Sequence, residues 1–347
     1  MRPFSRFLVL CLALAASPLF AEPLRTLYQV REPVPNQQAD ARGEALQRAF
    51  DTLLLRLTGD AESAKQPALA ELRQDPQRLV SKYGYEGEHI VVDFDQATTE
   101  RSLREAGVAL WGANRPVVLA WWLNESPGSA QLVGDAQEGA ATLHAAAQHR
   151  GLPLRLPLAD LEEQFAATPE VFAARDEQAL RAPSERYAAD ALLAVHARQT
   201  DNGWQANWNL WLNDAKGGGE VDGDSPAAVA DAVMLAVSRY LAPRYVVASG
   251  AAETLTLEVV GADISRFAEL EQLLQPLGGK LLRVESDRLV YRLTASREQL
   301  RAQLELAHLQ EVTAEPAALD ASQVPNPPDQ PAAAQPEHSN NVLRYRW

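Results

Sequence analysis

The chain reads as α/β and α+β: two to three small α/β modules, the last one ferredoxin-like (βαββα), followed by a disordered Pro- and Ala-rich C-terminal tail. Three observations predict this. Apolar residues recur at three- and four-residue steps in some segments and at two-residue steps in others, so helices and strands alternate. The strand-like runs are short and are separated by turn residues such as Asp201-Asn202-Gly203 and Gly278-Gly279. The 347 residues suffice for two or three cores at about 150 residues each. The expected division is a signal peptide at 1–21, an N-terminal α/β module at 22–114, a middle α/β module with an antiparallel hairpin at 115–250, the ferredoxin-like module at 251–313 and the tail at 314–347.

The leader comes first. Arg2 and Arg6 precede an apolar run from Phe7 to Ala16, a break at Ser17-Pro18, and a small residue, Ala21, before Glu22. A basic start, an apolar middle too short to span a bilayer and a small residue at the end make a secretory signal. Leu10 precedes Cys11 in the middle of the run, which is the wrong place for a lipid-bearing cysteine. The mature product is expected to be periplasmic and without stable membrane insertion, since no later apolar stretch approaches the roughly 20 residues a spanning helix needs.

In the first module, residues 24–30 read as a strand ended by Pro33 and Pro35. The clearest helix follows over 39–58, with Leu46, Ala49, Phe50, Leu53, Leu54 and Leu57 on one face and Gly59 placed to end it. Short helical pieces are expected at 68–72 and 76–82, a strand at 89–95 and a helix at 98–106. In the middle module, 117–123 is apolar on both faces and reads as a buried central strand. Helix 136–150, a short strand at 153–156 and a largely helical stretch over 158–181 come next. Segments 191–199 and 204–212 form the hairpin, 216–219 reads as a loose turn, and Ser225-Pro226 starts a helix to 241. The last module runs strand 254–259, helix 267–277, strands 280–284 and 289–293, and a helix opened by a Ser296/Gln299 capping box, with a closing strand near 310–313.

The net charge is −14, and loss of Arg2 and Arg6 with the leader takes it to −16. Such a chain repels phosphate backbones, and no basic stripe offsets this, so no nucleic acid is expected as a partner. Cys11 is the single cysteine and leaves with the leader, which excludes disulfides, thiolate metal sites and cysteine nucleophiles. No Gly-x-Ser-x-Gly or Ser-x-x-Lys occurs. His144 and His149 lie about 140° apart on a helix and cannot share a metal, and His196 reads as a packed or edge histidine. Asp222-Gly223-Asp224 lacks the other oxygens of a calcium loop, and Gly217-Gly218-Gly219 lacks the lysine of a phosphate loop. No catalytic residue, cofactor or metal is expected.

Candidate binding residues are the aromatics Trp122, Trp211, Tyr345 and Trp347. Alternation puts Trp204, Ala206, Trp208, Leu210 and Leu212 on one strand face and Trp211 among amides on the other. Burying such a ring is worth roughly 5 kcal/mol at about 25 cal/mol per Å² over about 200 Å², so Trp211 should be covered, either by a helix of this chain or by a glycan or partner. Leu343, Tyr345 and Trp347 alternate with Arg344 and Arg346, a pattern that can add to a sheet edge or simply end a tail.

Trp111-Gly112-Ala113-Asn114-Arg115-Pro116-Val117-Val118-Leu119, with Arg42-Gly43-Glu44-Ala45-Leu46, Leu55-Arg56-Leu57-Thr58-Gly59, Leu156-Pro157-Leu158-Ala159-Asp160-Leu161-Glu162 and Arg186-Tyr187-Ala188-Ala189-Asp190, resembles the proteobacterial domain-of-unknown-function family 2066, over roughly 24–312. The resemblance implies export to the periplasm and brings no activity, cofactor or site residue. The expected function is therefore a non-catalytic interaction or envelope-assembly module whose partners are envelope proteins. The alternative is an envelope glycan-binding protein, or a hydrolase using carboxylates such as Asp93 and Asp95, which alternation places on one strand face.

Overall fold

The computed structural model describes residues 27–246, 253–285, 287–312 and 342–347. The expected signal peptide at 1–21 and most of the expected tail lie outside them. The architecture is mixed α/β, built on three sheets.

The first sheet has order β1-β3-β2, with β1 Gln29–Pro33, β2 Val80–Glu86 and β3 His89–Phe94 all antiparallel. Helix α1, Ala39–Thr58, packs its Leu46–Leu57 face on this sheet, with the shorter α2, Ala70–Gln74, and α3, Gln96–Glu105, around it. Gly59 caps α1 in the left-handed region at φ 69°, and a Cβ there would fall 2.1 Å from that of Ala242, so both backbone and packing demand glycine. Residues 80–86 are a strand, where 76–82 was expected to be helical; only Pro76–Leu79 turns, as a 3₁₀ segment. The exposed strand lies on an edge, so it lacks the alternating burial that betrays a strand in sequence.

The second sheet runs β5-β4-β7-β8-β9, with β6 beside β4. Its strands are β4 Val118–Ser126, β5 Ser129–Val133, β6 Leu154–Arg155, β7 Ala191–Thr200, β8 Gly203–Leu212 and β9 Ala215–Gly223. Strands β4 and β7 are parallel and β7–β8–β9 is a meander. Helices α4, Ala140–Arg150, and α8, Pro226–Tyr245, cover one face; α5 Leu161–Ala166, α6 Pro169–Ala174 and α7 Glu177–Ser184 lie on the other side. The two cores explain why β4 is apolar throughout: Val118, Ala120 and Trp122 join one, Leu119, Trp121 and Leu123 the other. Residues 216–219, expected as a loose turn, belong to β9. Their glycines make room for rings, since a Cβ at Gly217 would meet the Tyr240 ring at 2.7 Å and one at Gly219 the Trp208 indole at 3.1 Å.

The third sheet contains β10 Glu253–Val260, β11 Lys280–Val284, β12 Arg288–Ala295, β13 Gln310–Glu311 and β14 Val342–Arg346, with α9 Ile264–Leu274 and α10 Arg297–Leu306. The order is β11-β12-β10-β14-β13. A ferredoxin-like sheet would pair the closing strand directly with the first; here β14 lies between them, parallel to β10 and antiparallel to β13. The expectation of disorder to residue 347 is therefore corrected for 342–347: Leu343 and Tyr345 are buried, which stabilises the strand. Residues 313–341 lie outside the described residues.

The three sheets meet at 111–115. Trp111 stacks on Tyr245 of α8, centroids 5.8 Å apart, and its backbone N–H donates to Leu57 O. The buried Arg115 lies 4.1 Å over the Trp111 ring and donates to the carbonyls of Gly112, Gly151, Arg56 and Trp111. Burial pulls its guanidinium down to about 9, still charged at neutral pH. Arg56, pulled down to about 10 by burial, donates to Leu27 O, Gln29 O and His149 O. Asn114 donates to Gln303 of α10.

Candidate functional site

The middle sheet presents its most unusual surface at 158–165. Leu158, Leu161 and Phe165 are 62%, 72% and 81% exposed. Large apolar groups at positions i, i+3 and i+7 normally face a core. Here α5 is turned outward by the groups behind it. Asp160 and Glu163 form a capping box: Asp160 Oδ1 accepts from Glu163 N at 3.0 Å and Glu163 Oε2 from Asp160 N at 3.2 Å. Glu163 is wholly buried and also accepts from the Tyr187 hydroxyl and the Arg186 guanidinium, which reaches Asp160 Oδ2 at 2.7 Å. Tyr187 Oη accepts from Leu158 N at 2.8 Å. The Glu163 N–H, then Arg186, hold the Asp160 carboxyl below its ordinary range; Glu163, then Asp160, push the Arg186 guanidinium up; burial and then Glu163 push up the Tyr187 phenol. The motif segments at 156–162 and 186–190 thus clasp each other. Asp190 continues the clasp by accepting from Val117 N at 2.7 Å at the start of β4.

Farther along the same face is a shallow cleft of about 450 Å³ lined by Arg175, Asn209, Trp211, Lys216 and Gly217–Gly219. Lys216 reaches Glu177 at 3.1 Å. Gly218 leaves space beside Asn209, whose Oδ1 would lie 3.0 Å from an added Cβ.

The four candidate aromatics are not brought together. Trp122 is 2% exposed in the core under α4 and α8 and donates to Asn124 Oδ1 at 2.8 Å, leaving no open face for stacking. Trp211, 7% exposed, lies on the opposite face beneath Phe172 and Leu180, covered by the chain itself, with only an edge at the cleft. Tyr345 is 1% exposed in the third sheet's core. Trp347 is half-buried beside it, with the Arg266 guanidinium 5.6 Å from its centroid. Of the carboxylates, Asp93 accepts from Gln29 Nε2 at 2.8 Å, and Asp95 caps α3 by accepting from Thr98 N at 2.8 Å; the Thr98 side chain and N–H lower its pKa. His144 pairs with Asp135, His149 with Asp231 and His196 with Glu125. Among the described residues no three His, Cys, Asp or Glu side chains gather as a metal site.

Sequence reasoning missed the outward face at 158–165, which the apolar spacing assigns to a core. The signal that could have exposed it is the Asp160-x-x-Glu163 box, which fixes where α5 starts and which way Leu161 points.

A family described as a domain of unknown function (DUF8605) matches residues 21–112. This agrees with the coarse expectation of an uncharacterised domain; the matching family is not number 2066, and it covers the N-terminal part alone. No curated protein matches the chain. Among solved structures, the LpoB C-terminal domain from Salmonella enterica is similar at 18% identity over 37% of this chain and 95% of that one, with a TM-score of 0.21, too low to argue from. No helix among the described residues is long and apolar enough to cross a membrane.

Proposed function

We propose that this chain is a non-catalytic periplasmic interaction protein that docks envelope proteins, exported by the leader at 1–21 and built of modules at 22–114, 115–250 and 251–313. The wider resemblance to family 2066 belongs to the same reading. The observation that carries it is the apolar face at Leu158, Leu161 and Phe165, held outward by a polar clasp around the buried Glu163. Three large apolar side chains left in water forgo several kcal/mol of burial at about 25 cal/mol per Å², a cost that a partner would recover. His144, His149 and His196 are each spent on an ion pair and Asp95 on a helix cap.

The test is a tagged pulldown from periplasm under gentle crosslinking, comparing the native chain with Leu161→Ser/Phe165→Ser. The reading expects specific proteins recovered by the native chain and lost with the variant, whose melting temperature should be unchanged because both side chains touch mainly water. Equal recovery by both chains contradicts it.

The cleft at Trp211 supports a second reading, glycan binding, because an indole edge, an amide and two cations converge there. Peptidoglycan fragments titrated against the native chain and Trp211→Phe should then change fluorescence in the native chain only. No change at millimolar fragment sinks this reading.

A further inference from the structure

We infer that the slot between β10 and β13, filled by the chain's own β14, is an exchange site that also takes residues 342–347 of a second copy of this chain. The connection between β13 and β14 is far longer than their pairing needs. Strands β13 and β14 are antiparallel neighbours, with Gln310 opposite Arg346, Glu311 opposite Tyr345 and Val312 N donating to Arg344 O at 2.8 Å. Two residues close such a hairpin. This one is joined by the 29 residues 313–341. They can span up to about 100 Å at roughly 3.3–3.6 Å per residue, so the tether permits β14 to leave its own slot and reach a neighbour's.

The slot recognises this strand by side chain as well as backbone. Val342 to Arg346 pair in parallel with Thr256 to Val260. Leu343 and Tyr345 point into the core, Arg344 donates to Glu258 Oε2 at 3.0 Å on the other face, and Trp347 meets Arg266. An identical strand from another chain reproduces every one of these contacts, the general reason that exchange between copies costs little. The surface is separate from the 158–165 face, so either inference stands if the other fails.

A tether of this length gives β14 an effective concentration of about millimolar in its own slot. Dilute chains therefore keep their own strand, and exchange rises in proportion to chain concentration. The test uses the full chain in a Cys11→Ser background, which has no other thiol. Thr256 and Val342 face each other across adjacent strands about 4.8 Å apart, within disulfide range, and neither takes part in the Arg344–Glu258 pair. Thr256→Cys chains are mixed with equal Val342→Cys chains, incubated and oxidised. Random collision makes the mixed 256–342 disulfide half of all covalent dimers. Exchange predicts about tenfold more mixed than like-with-like dimer, increasing with concentration. The double variant Thr256→Cys/Val342→Cys should close within one chain when dilute, which checks that the strand is seated in register. Mixed dimer at the random share, or a double variant that does not close, overturns the inference.

Discussion

Arg115 shows what a single residue does here. Its planar fork serves four backbone carbonyls from three stretches of chain, and its flat face rests on Trp111. Lysine carries the charge but offers neither the fork nor the stack. Arg115→Lys and Arg115→Met should each lower stability by about 3–5 kcal/mol, because each leaves buried carbonyls unpaired. Urea unfolding checks this; a loss under about 1 kcal/mol for the lysine variant would show that the stack and fork contribute little. The motif residues can be read off the sequence, but their job cannot. Arg56, Trp111, Asn114, Arg115, Arg186, Tyr187 and Asp190 bond to groups tens of residues away, and no local spacing reports such partners.

At the level of elements, the long amphipathic helix α1, the doubly buried strand β4 and the β7–β8 hairpin were readable because each declares its environment by period or by turn chemistry. The edge strands β2 and β9 were not. One side of such a strand meets no neighbour, and in β9 glycines replace the side chains whose alternation would have marked it. The two strands should differ when substituted. Gly217→Val places a side chain into the Tyr240 ring and should cost about 1–3 kcal/mol by overpacking. Gly84→Thr on β2 meets nothing within 4 Å and should be neutral or stabilising by up to about 1 kcal/mol. Thermal melts of the two variants distinguish them; equal losses would mean that the glycine run has no packing role.

In the whole molecule the first and middle sheets are fastened where Trp111, Tyr245 and Arg115 meet and the third is tied to them by Asn114 and Gln303, and the pH range follows from what is buried there and beside it. Burial pushes the Tyr245 phenol up, and burial followed by Glu100 does the same to Tyr28. The unfolded chain releases these protons from about pH 10, whereas the folded chain holds them, so stability is full below about pH 10 and falls as pH rises beyond it. Opposite behaviour is expected in acid. Burial works against the carboxylates of Asp231 and Glu100, yet the hydrogen bonds from His149 and Arg150 to Asp231, and from Tyr28 and Gln96 to Glu100, hold both below their ordinary range. Their contribution is complete above the ordinary carboxylate range and is lost as pH falls through it. Melting temperature against pH should therefore show a plateau with both shoulders, and a melting temperature that climbs above pH 10 would refute the assignment of buried phenols.

The reading of the molecule as a rigid frame that displays an apolar face to a protein partner is tested most directly by a photo-crosslinking residue placed at Phe165 in cells. It predicts one discrete adduct larger than the chain, absent when the same residue is placed at the exposed Gln148 and absent from Phe165 when Leu158 and Leu161 are both replaced by serine. No adduct at Phe165, or the same adducts at Gln148, would contradict it.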